Sequence, residues 1–435
     1  MNKMLFKNTD IAPLVVFRIF FGFLIACESF GAIITGWVKN VLIAPKFTFS
    51  FIGFEWLQPL SGNGMYYYFA IMGLMGIFIM IGLRYTFSML SFTLLWSGVY
   101  FMQKTSYNNH YYLLMIISFM MIFLPSNHYK SLDVKLGYLS EKQTIPYWIY
   151  LIFIIQISIV YFYASLAKIY PDWLDGTFTK NLLQGATNRT FFLKLFAEKW
   201  FYLFIAYAGI LYDLLIIPFL LFKKTRNIAL IASLVFHLFN AVVLQIGIFP
   251  FFALSFALFF YEPYKIRKLF LRNNTTTTFS ENYDYRNKRL FFFFFLPFLC
   301  LQLLLPLRHY FIKGDVLWTE EGHRLSWRMM LRERSGNISF KIINNTTKET
   351  TLYNYHKNLT HKQAAQLPTK PDFIWQYCQK IKEEYHDKNI SIYITCSNSI
   401  NRKSYHPLIK PEYDMAKAKW NYFSHNEWLT LYNIE

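Results

Sequence analysis

The chain has 435 residues, 54% of them hydrophobic and 21% aromatic but only 16% charged, and its formal net charge is +19. Soluble domains average roughly 45–50% apolar and about 25% charged residues, so this composition excludes an ordinary soluble enzyme and points to a bilayer as solvent. Many Lys and Arg residues sit in short loops between apolar segments, where they set membrane orientation, and nucleic acid is therefore not needed as a partner to explain the charge.

The first apolar stretch, residues 14–38, contains Arg18 and Glu28 and ends without a small-residue cleavage site, so it is expected to stay as a membrane helix and not to leave as a signal peptide. Eight further runs approach the ~20 residues that a crossing needs: 66–83, 87–102, 111–124, 147–167, 201–222, 228–247, 248–261 and 290–307. The seventh and eighth abut through Gly247, Phe249 and Pro250, which demands a tight turn or a re-entrant hairpin. Lys and Arg are about twice as dense in the segments that share a side with the N-terminus, which places that terminus in the cytoplasm and, for an odd number of crossings, the polar tail outside.

The loop 262–289 holds Asn273, Asn274 and the run Thr275 to Thr278, has little apolar content, and is expected to be flexible. The five consecutive Phe residues from 291 read as lipid-facing packing. After Phe311 the pattern changes to short β-like runs at 338–343 and 390–395 with one helix at 371–385. The expected fold is thus an all-α polytopic membrane bundle of about nine helices (1–307) with a C-terminal soluble α+β or sandwich-like, β-rich domain (308–435). An outside compartment permits a disulfide between Cys378 and Cys396, and two buried free thiols fit the sequence equally well.

This topology brings distant polar residues to one face. Asn108, Asn109 and His110 fall in the outer loop before the fourth helix, Lys168 at the outer end of the fifth, and His237 and Asn240 one turn apart on the seventh. Each has a plainer reading: Lys168 as a snorkelling anchor, His110 as a helix cap, His237 in a helix–helix hydrogen bond. Arg18 and Asp213 are costly inside helices unless paired or facing a polar cavity. No metal-ligand spacing, phosphate-binding Gly loop or serine nucleophile elbow is present, and composition alone leaves the activity open.

Several words do not. Residues 16–25 (VFRIFFGFLI), 104–110 (KTSYNNH), 127–133 (NHYKSLD), 156–176 (QISIVYFYASLAKIYPDWLDG), 236–249 (FHLFNAVVLQIGIF) and 305–332 (LPLRHYFIKGDVLWTEEGHRLSWRMMLR) resemble, in order, the vitamin K-dependent γ-glutamyl carboxylases and the bacterial membrane proteins of the HTTM group that share their transmembrane domain. The resemblance implies an enzyme that couples oxygenation of a reduced naphthoquinone, vitamin K or a menaquinone type, by O2 to removal of a glutamyl γ-proton and addition of CO2, with no metal. It implies Lys168 as the base toward the quinol and His110 in the glutamyl deprotonation step. It also implies Tyr161, Asn109, His237 and Asn240 near the quinone and glutamate pocket. The physical logic agrees: loss of water at a helix end favours a neutral amine, and dipoles in a dry pocket stabilise developing charge.

Tyr107 stands where the family has Trp in its SWNNH word, and Ala167 replaces the first of two adjacent lysines. The animal enzymes also continue for several hundred residues that bind a propeptide. The sequence is rich in Asn, Lys, Ile and Phe, a bacterial flavour, so the expected setting is an inner membrane with a glutamate-containing peptide or protein on the extracytoplasmic side. Quinol epoxidation without carboxylation is the alternative enzyme reading, and a quinone- or lipid-binding membrane protein is the non-catalytic one.

Overall fold

A computed structural model describes residues 2–185, 190–243, 247–272, 283–285, 287–386 and 389–432. Up to Phe311 the chain is a helical bundle: α1 (Ala12–Ile34), α2 (Gly64–Ile81), α3 (Tyr85–Met102), α4 (Asn109–Ile122), α5 (Trp148–Ala167), α6 (Lys199–Leu221), α7 (Arg226–Val243), α8 (Phe249–Phe259) and α9 (Lys288–Phe311). Among the described residues six of these, α1, α2, α5, α6, α7 and α9, are long and apolar enough to cross a membrane. The other three of the nine expected helices fall short of that measure: α4 has 14 residues and α8 is also short, against the ~20 that a full crossing takes. Tyr, Thr and Ser dilute the 18-residue α3.

Two glycines let α1 and α2 touch backbone to backbone. A Cβ on Gly22 would stand 2.4 Å from the Met80 nitrogen, and one on Gly76 would stand 2.8 Å from the Ala26 nitrogen. Small residues at such contacts are how membrane helices gain packing where no hydrophobic driving force exists between them. Arg18, in the same helix, is fully buried and donates to the carbonyls of Ser126 (2.8 Å) and Lys130 (2.7 Å). The NHYKSLD word is therefore a loop wrapped around a guanidinium. Its Asp133 accepts from Asn127 Nδ2 and from the Arg84 and Tyr85 backbone amides at the start of α3.

At one end of the bundle β1 (Asn8–Asp10) pairs antiparallel with β2 (Thr144–Pro146), and Arg267 grips Asp10 with two bonds of 2.6 Å. Arg267 belongs to a helix, Pro263–Leu271, so the first part of the loop 262–289 is ordered by a buried bidentate pair and differs from the flexible segment expected. Asn273, Asn274 and Thr275 to Thr278 lie outside the described residues. The segment between α5 and α6 carries the short helices Pro171–Leu174, Thr177–Gly185 and Thr190–Ala197, too short to show as apolar runs.

At the opposite end sits the C-terminal domain, a four-stranded antiparallel sheet in the order β4 (Thr350–Tyr353), β3 (Arg334–Asn344), β5 (Ile390–Ile400), β6 (His406–Pro407). Ile338, Phe340 and Ile342 alternate inward on β3 and pair with Cys396, Ile394 and Ile392 on β5. Over this face packs α10 (Pro371–Glu384) through Phe373, Ile374, Tyr377, Cys378 and Ile381, whose helical spacing makes one apolar stripe. Helix and sheet thus pack together, and among the described residues no second sheet covers the first. Cys378 and Cys396 are separate buried thiols.

The two parts are tightly joined. Phe49 stacks on Phe373 (4.5 Å between centroids), Lys104 pairs with Asp372 (2.6 Å), and Asp172 binds both Asn401 (2.7 Å) and Lys403 (2.8 Å). The loops 47–52, 103–109 and 168–176 therefore share one end of the bundle with the sheet domain.

Candidate active site

The KTSYNNH word forms a single tight turn, Lys104–Ser106, between α3 and α4. Asn108, and not His110, caps α4, its side chain accepting from the Tyr111 amide at 2.7 Å. Asn109 is a strut: its Oδ1 accepts from Tyr107 (3.0 Å) and its Nδ2 donates to the Arg328 carbonyl (3.1 Å), while the Tyr107 hydroxyl accepts from the Leu325 amide (3.0 Å). With these neighbours fixed, the His110 ring lies against Phe249 at the start of α8, centroids 3.6 Å apart and 16° from parallel.

His110 lines a cavity of about 590 Å³ between α1, α3, α4 and the start of α8, within the range of roughly 300–1,000 Å³ of ligand pockets. Phe69, Trp96, Val99, Leu114, Phe249 and Phe252 give it apolar walls. Polar groups gather at the end nearest the sheet domain and on α1, where Glu28 accepts from the Tyr111 hydroxyl at 2.8 Å. Two lining groups, the Tyr100 hydroxyl and Ser106 Oγ, are buried without a hydrogen-bond partner among the described residues. Orphaned polar atoms cost roughly 1–3 kcal/mol each unless something bonds them, so a flat apolar ring carrying oxygen substituents fits this lining.

The same histidine borders a second, polar cavity of about 220 Å³ in the seam between the bundle and the sheet domain. Lys104 and Asn109 form one wall; Glu320, His323, Arg324, Arg328 and Lys370 form the other. Asp372 binds Lys104 (2.6 Å) and Arg324 (2.7 Å), and Glu320 binds Arg332, Arg334 (2.9 Å) and Lys370 (3.2 Å). Burial would raise the Asp372 carboxyl, yet Arg324 and Lys104 hold it at about 2. Burial pushes Lys104 and Lys370 each down to about 8, against the pull of Asp372 and Glu320 respectively. Burial and the Arg332 charge push His323 well below its ordinary value. In this seam the cations Lys104, Arg324, Arg328, Arg332, Arg334 and Lys370 outnumber the carboxylates Glu320 and Asp372, a surplus that suits an anion.

The remaining expected residues form a third cluster between α5, α6 and α7. Lys168 ends α5 and pairs with Asp213 of α6, with its ammonium 5.4 Å from the Trp173 ring centre. The polar partner anticipated for Asp213 is thus Lys168, a pairing that sequence separation concealed. Tyr212, beside Asp213, and Tyr161 both place their hydroxyls near His237 Nε2, at 3.2 and 3.0 Å. His237 Nδ1 is buried with no partner among the described residues, and its ring meets Phe249 edge-on at 6.2 Å. Phe249 therefore touches both histidines. Lys168, Tyr161 and His237 do not line the 590 Å³ cavity, and Asn240 lies half-buried on α7 outside it.

Sequence reasoning passed over Glu28, Tyr100, Ser106 and the Lys104–Asp372–Arg324 knot. A carboxyl in the first membrane helix is a signal in its own right, whereas the knot becomes visible only when the tail folds back onto the turn.

The family description "HTTM domain" matches residues 6–264, and "Vitamin K-dependent gamma-carboxylase, lumenal domain" matches residues 287–435. No solved structure matches the chain. The first match spans α1 to α8 and the His110 cavity, the second begins with α9 and runs through the sheet domain that closes the seam, and the chain belongs to the vitamin K-dependent gamma-carboxylase family, with an HTTM domain over its first eight helices.

Proposed function

We propose that the chain is a quinol-dependent γ-glutamyl carboxylase whose apolar cavity takes the ring of a reduced naphthoquinone and whose cationic seam takes a glutamyl side chain of an extracytoplasmic peptide. The observation that carries this reading is that His110 borders both cavities. When bound, the quinol with O2 would supply the strong base that removes the γ-proton, leaving a γ-carbanion to which CO2 would add. Tyr100 and Ser106 offer unpaired hydroxyls to ring oxygens, and the aromatic walls keep water out, which strengthens every dipole inside. Lys104, Arg324 and Lys370 hold the glutamyl carboxylate and stabilise the product's second one. His110 stands where charge develops between the two.

Lys168 acts with Asp213 as one proton-exchanging unit. With Asp213 ionised, a neutral Lys168 would accept the quinol's proton and end as an ammonium–carboxylate pair, which escapes the cost of a lone buried charge. Tyr161, His237 and Tyr212 join this unit to Phe249 and the cavity wall. The orientation follows the charge distribution, with the N-terminus cytoplasmic and the sheet domain outside; an impermeant thiol reagent that reaches a cysteine placed at Thr347 only from the cytoplasmic side overturns it.

The test is incorporation of labelled bicarbonate into a glutamate-containing peptide by purified protein supplied with reduced naphthoquinone and O2. Label in the peptide that depends on the quinol supports the proposal. Quinol consumption without label in any glutamyl peptide replaces it with epoxidation alone.

A further inference from the structure

We infer that the open pocket framed by the loop between α4 and α5, at the bundle end away from the sheet domain, is a headgroup site for an anionic phospholipid. The pocket has a volume of about 710 Å³, and its lining includes Ile81 at the end of α2 and Tyr129, Lys130, Leu132, Lys135 and Glu141 of the loop. Its walls are fixed before anything binds. Arg18 holds the carbonyls of Ser126 and Lys130, and His128 Nδ1 bonds the Ser140 carbonyl at 3.1 Å. The Lys142 amide donates to the His128 carbonyl (2.9 Å), and the Asp133 amide to the Gly82 carbonyl (3.0 Å) at the turn after α2. A site ordered in advance avoids the entropic cost of ordering on binding.

The charge of this frame calls for an anion. Lys130 and Lys135 are exposed and form no ion pair among the described residues. Arg84, exposed at the start of α3, lies over the Tyr138 ring of the same loop at 3.9 Å. With Lys142 these cations outnumber the loop's two carboxylates, and both of those are engaged. Asp133 is buried on Asn127 Nδ2 and on the Arg84 and Tyr85 amides, and Glu141 accepts from Gln143 Nε2 at 3.0 Å. The apolar surroundings then favour a lipid over a soluble phosphate. Tyr67, Ile71 and Leu74 are exposed along one face of α2, and the same helical spacing continues through Phe78 to Ile81 at the pocket. From Ile81 back to Ile71 this track covers about 15 Å at 1.5 Å per residue, half of the ~30 Å hydrocarbon core and so the reach of one acyl chain. Leu136 and Tyr138 stand exposed on the loop itself. A phosphate held by Lys130 and Lys135 therefore lets its acyl chain follow α2 into the bilayer, the combination by which basic pockets at helix ends take lipid headgroups.

The experiment places the full chain in phosphatidylcholine nanodiscs with increasing mole fractions of phosphatidylglycerol, and reads retained lipid by native mass spectrometry and the thermal midpoint alongside. The parent should retain one phosphatidylglycerol, and its midpoint should rise to a plateau as that site fills. Lys130→Gln with Lys135→Gln should raise the half-saturating mole fraction roughly thirtyfold, the value of two lysines at a membrane surface. Both side chains are exposed and unpaired, so the midpoint in phosphatidylcholine alone should stay that of the parent. Lys223→Gln with Lys224→Gln removes the same charge from the turn between α6 and α7, at the same end of the bundle, and should leave the half-saturating fraction unchanged. Glu141→Gln should lower it, an independent arm of opposite sign. Equal losses in the two lysine pairs reduce the effect to general surface charge and overturn the inference, as does a parent indifferent to phosphatidylglycerol or a Glu141→Gln variant that binds no more tightly. A midpoint raised as far by soluble glycerol phosphate as by phosphatidylglycerol overturns it in favour of a free phosphoester.

Discussion

Replacing Asp372 by Asn tests whether the seam is held by the charge knot. The carboxylate opens α10 and bonds two buried cations, Lys104 at 2.6 Å and Arg324 at 2.7 Å, one from the bundle and one from the sheet domain. A carboxyl held at about 2 against an ordinary 3.8 corresponds to roughly 2–3 kcal/mol of stabilisation. Leaving two buried cations without a counter-charge raises the loss toward about 3–5 kcal/mol. The thermal midpoint of the sheet domain, followed in nanodiscs at pH 7, should fall by about 10–20 °C. Because the folded pKa is depressed, the contribution is present above the unfolded value near 3.8 and is lost as pH falls through about 2. Parent and variant should therefore converge between pH 4 and 2, with the parent losing the advantage. Adding Lys104→Met to the variant removes one stranded charge and should recover part of the loss, a coupling above about 1 kcal/mol. A midpoint unchanged in Asp372→Asn, or additive effects in the double variant, refutes the idea that this pair holds the two parts together.

Other outcomes follow from the same geometry. His110→Ala should lower carboxylation by about 10²–10⁴-fold while quinol oxygenation falls much less, and equal loss of both in a folded variant makes His110 a packing residue against Phe249. Lys168→Arg should abolish both activities, because a guanidinium stays protonated at working pH; Lys168→Ala should regain part of each with a small added amine, and substantial oxygenation by the Arg variant sinks the base assignment. The Km for a glutamyl peptide should rise as pH passes about 8, where Lys104 and Lys370 lose the protons that hold an anion, with kcat changing less. A Km that stays flat from pH 7 to 9.5 removes those lysines from substrate binding.

The bundle was legible because apolar runs state a period and a length at once. The runs at 147–167 and 201–222 became α5 and α6 with ends shifted by one or two residues. The tail was equally open: alternation at Ile338, Phe340 and Ile342 predicts a strand with one buried face, and β3 has that register. What length could not supply was where the helix inside an apolar run begins. The 248–261 run satisfies hydropathy, but the Pro250 turn after Gly247 shortens α8, and Phe249 at its start is spent on the two histidines.

The site divides along the same line. Words such as KTSYNNH name residues that the structure gathers at one end of the bundle, yet they say nothing of which residue faces which cavity. Asn109 and His110 are adjacent in sequence, and because successive helical residues point about 100° apart, one locks into the Arg328 carbonyl and the other reaches Phe249 and both cavities. Lys168 was visible as a cation at a helix end, where a snorkelling anchor and a catalytic amine look alike. The residue that separates them is Asp213, 45 positions away. An anchor extends its ammonium toward water and has no use for a buried carboxylate, whereas an amine that must take and return a proton inside the bilayer edge needs a partner that keeps it from being a lone buried charge. The pairing, unreadable from spacing, argues against a plain snorkelling anchor, and it serves a structural ion pair and a proton-exchanging amine alike.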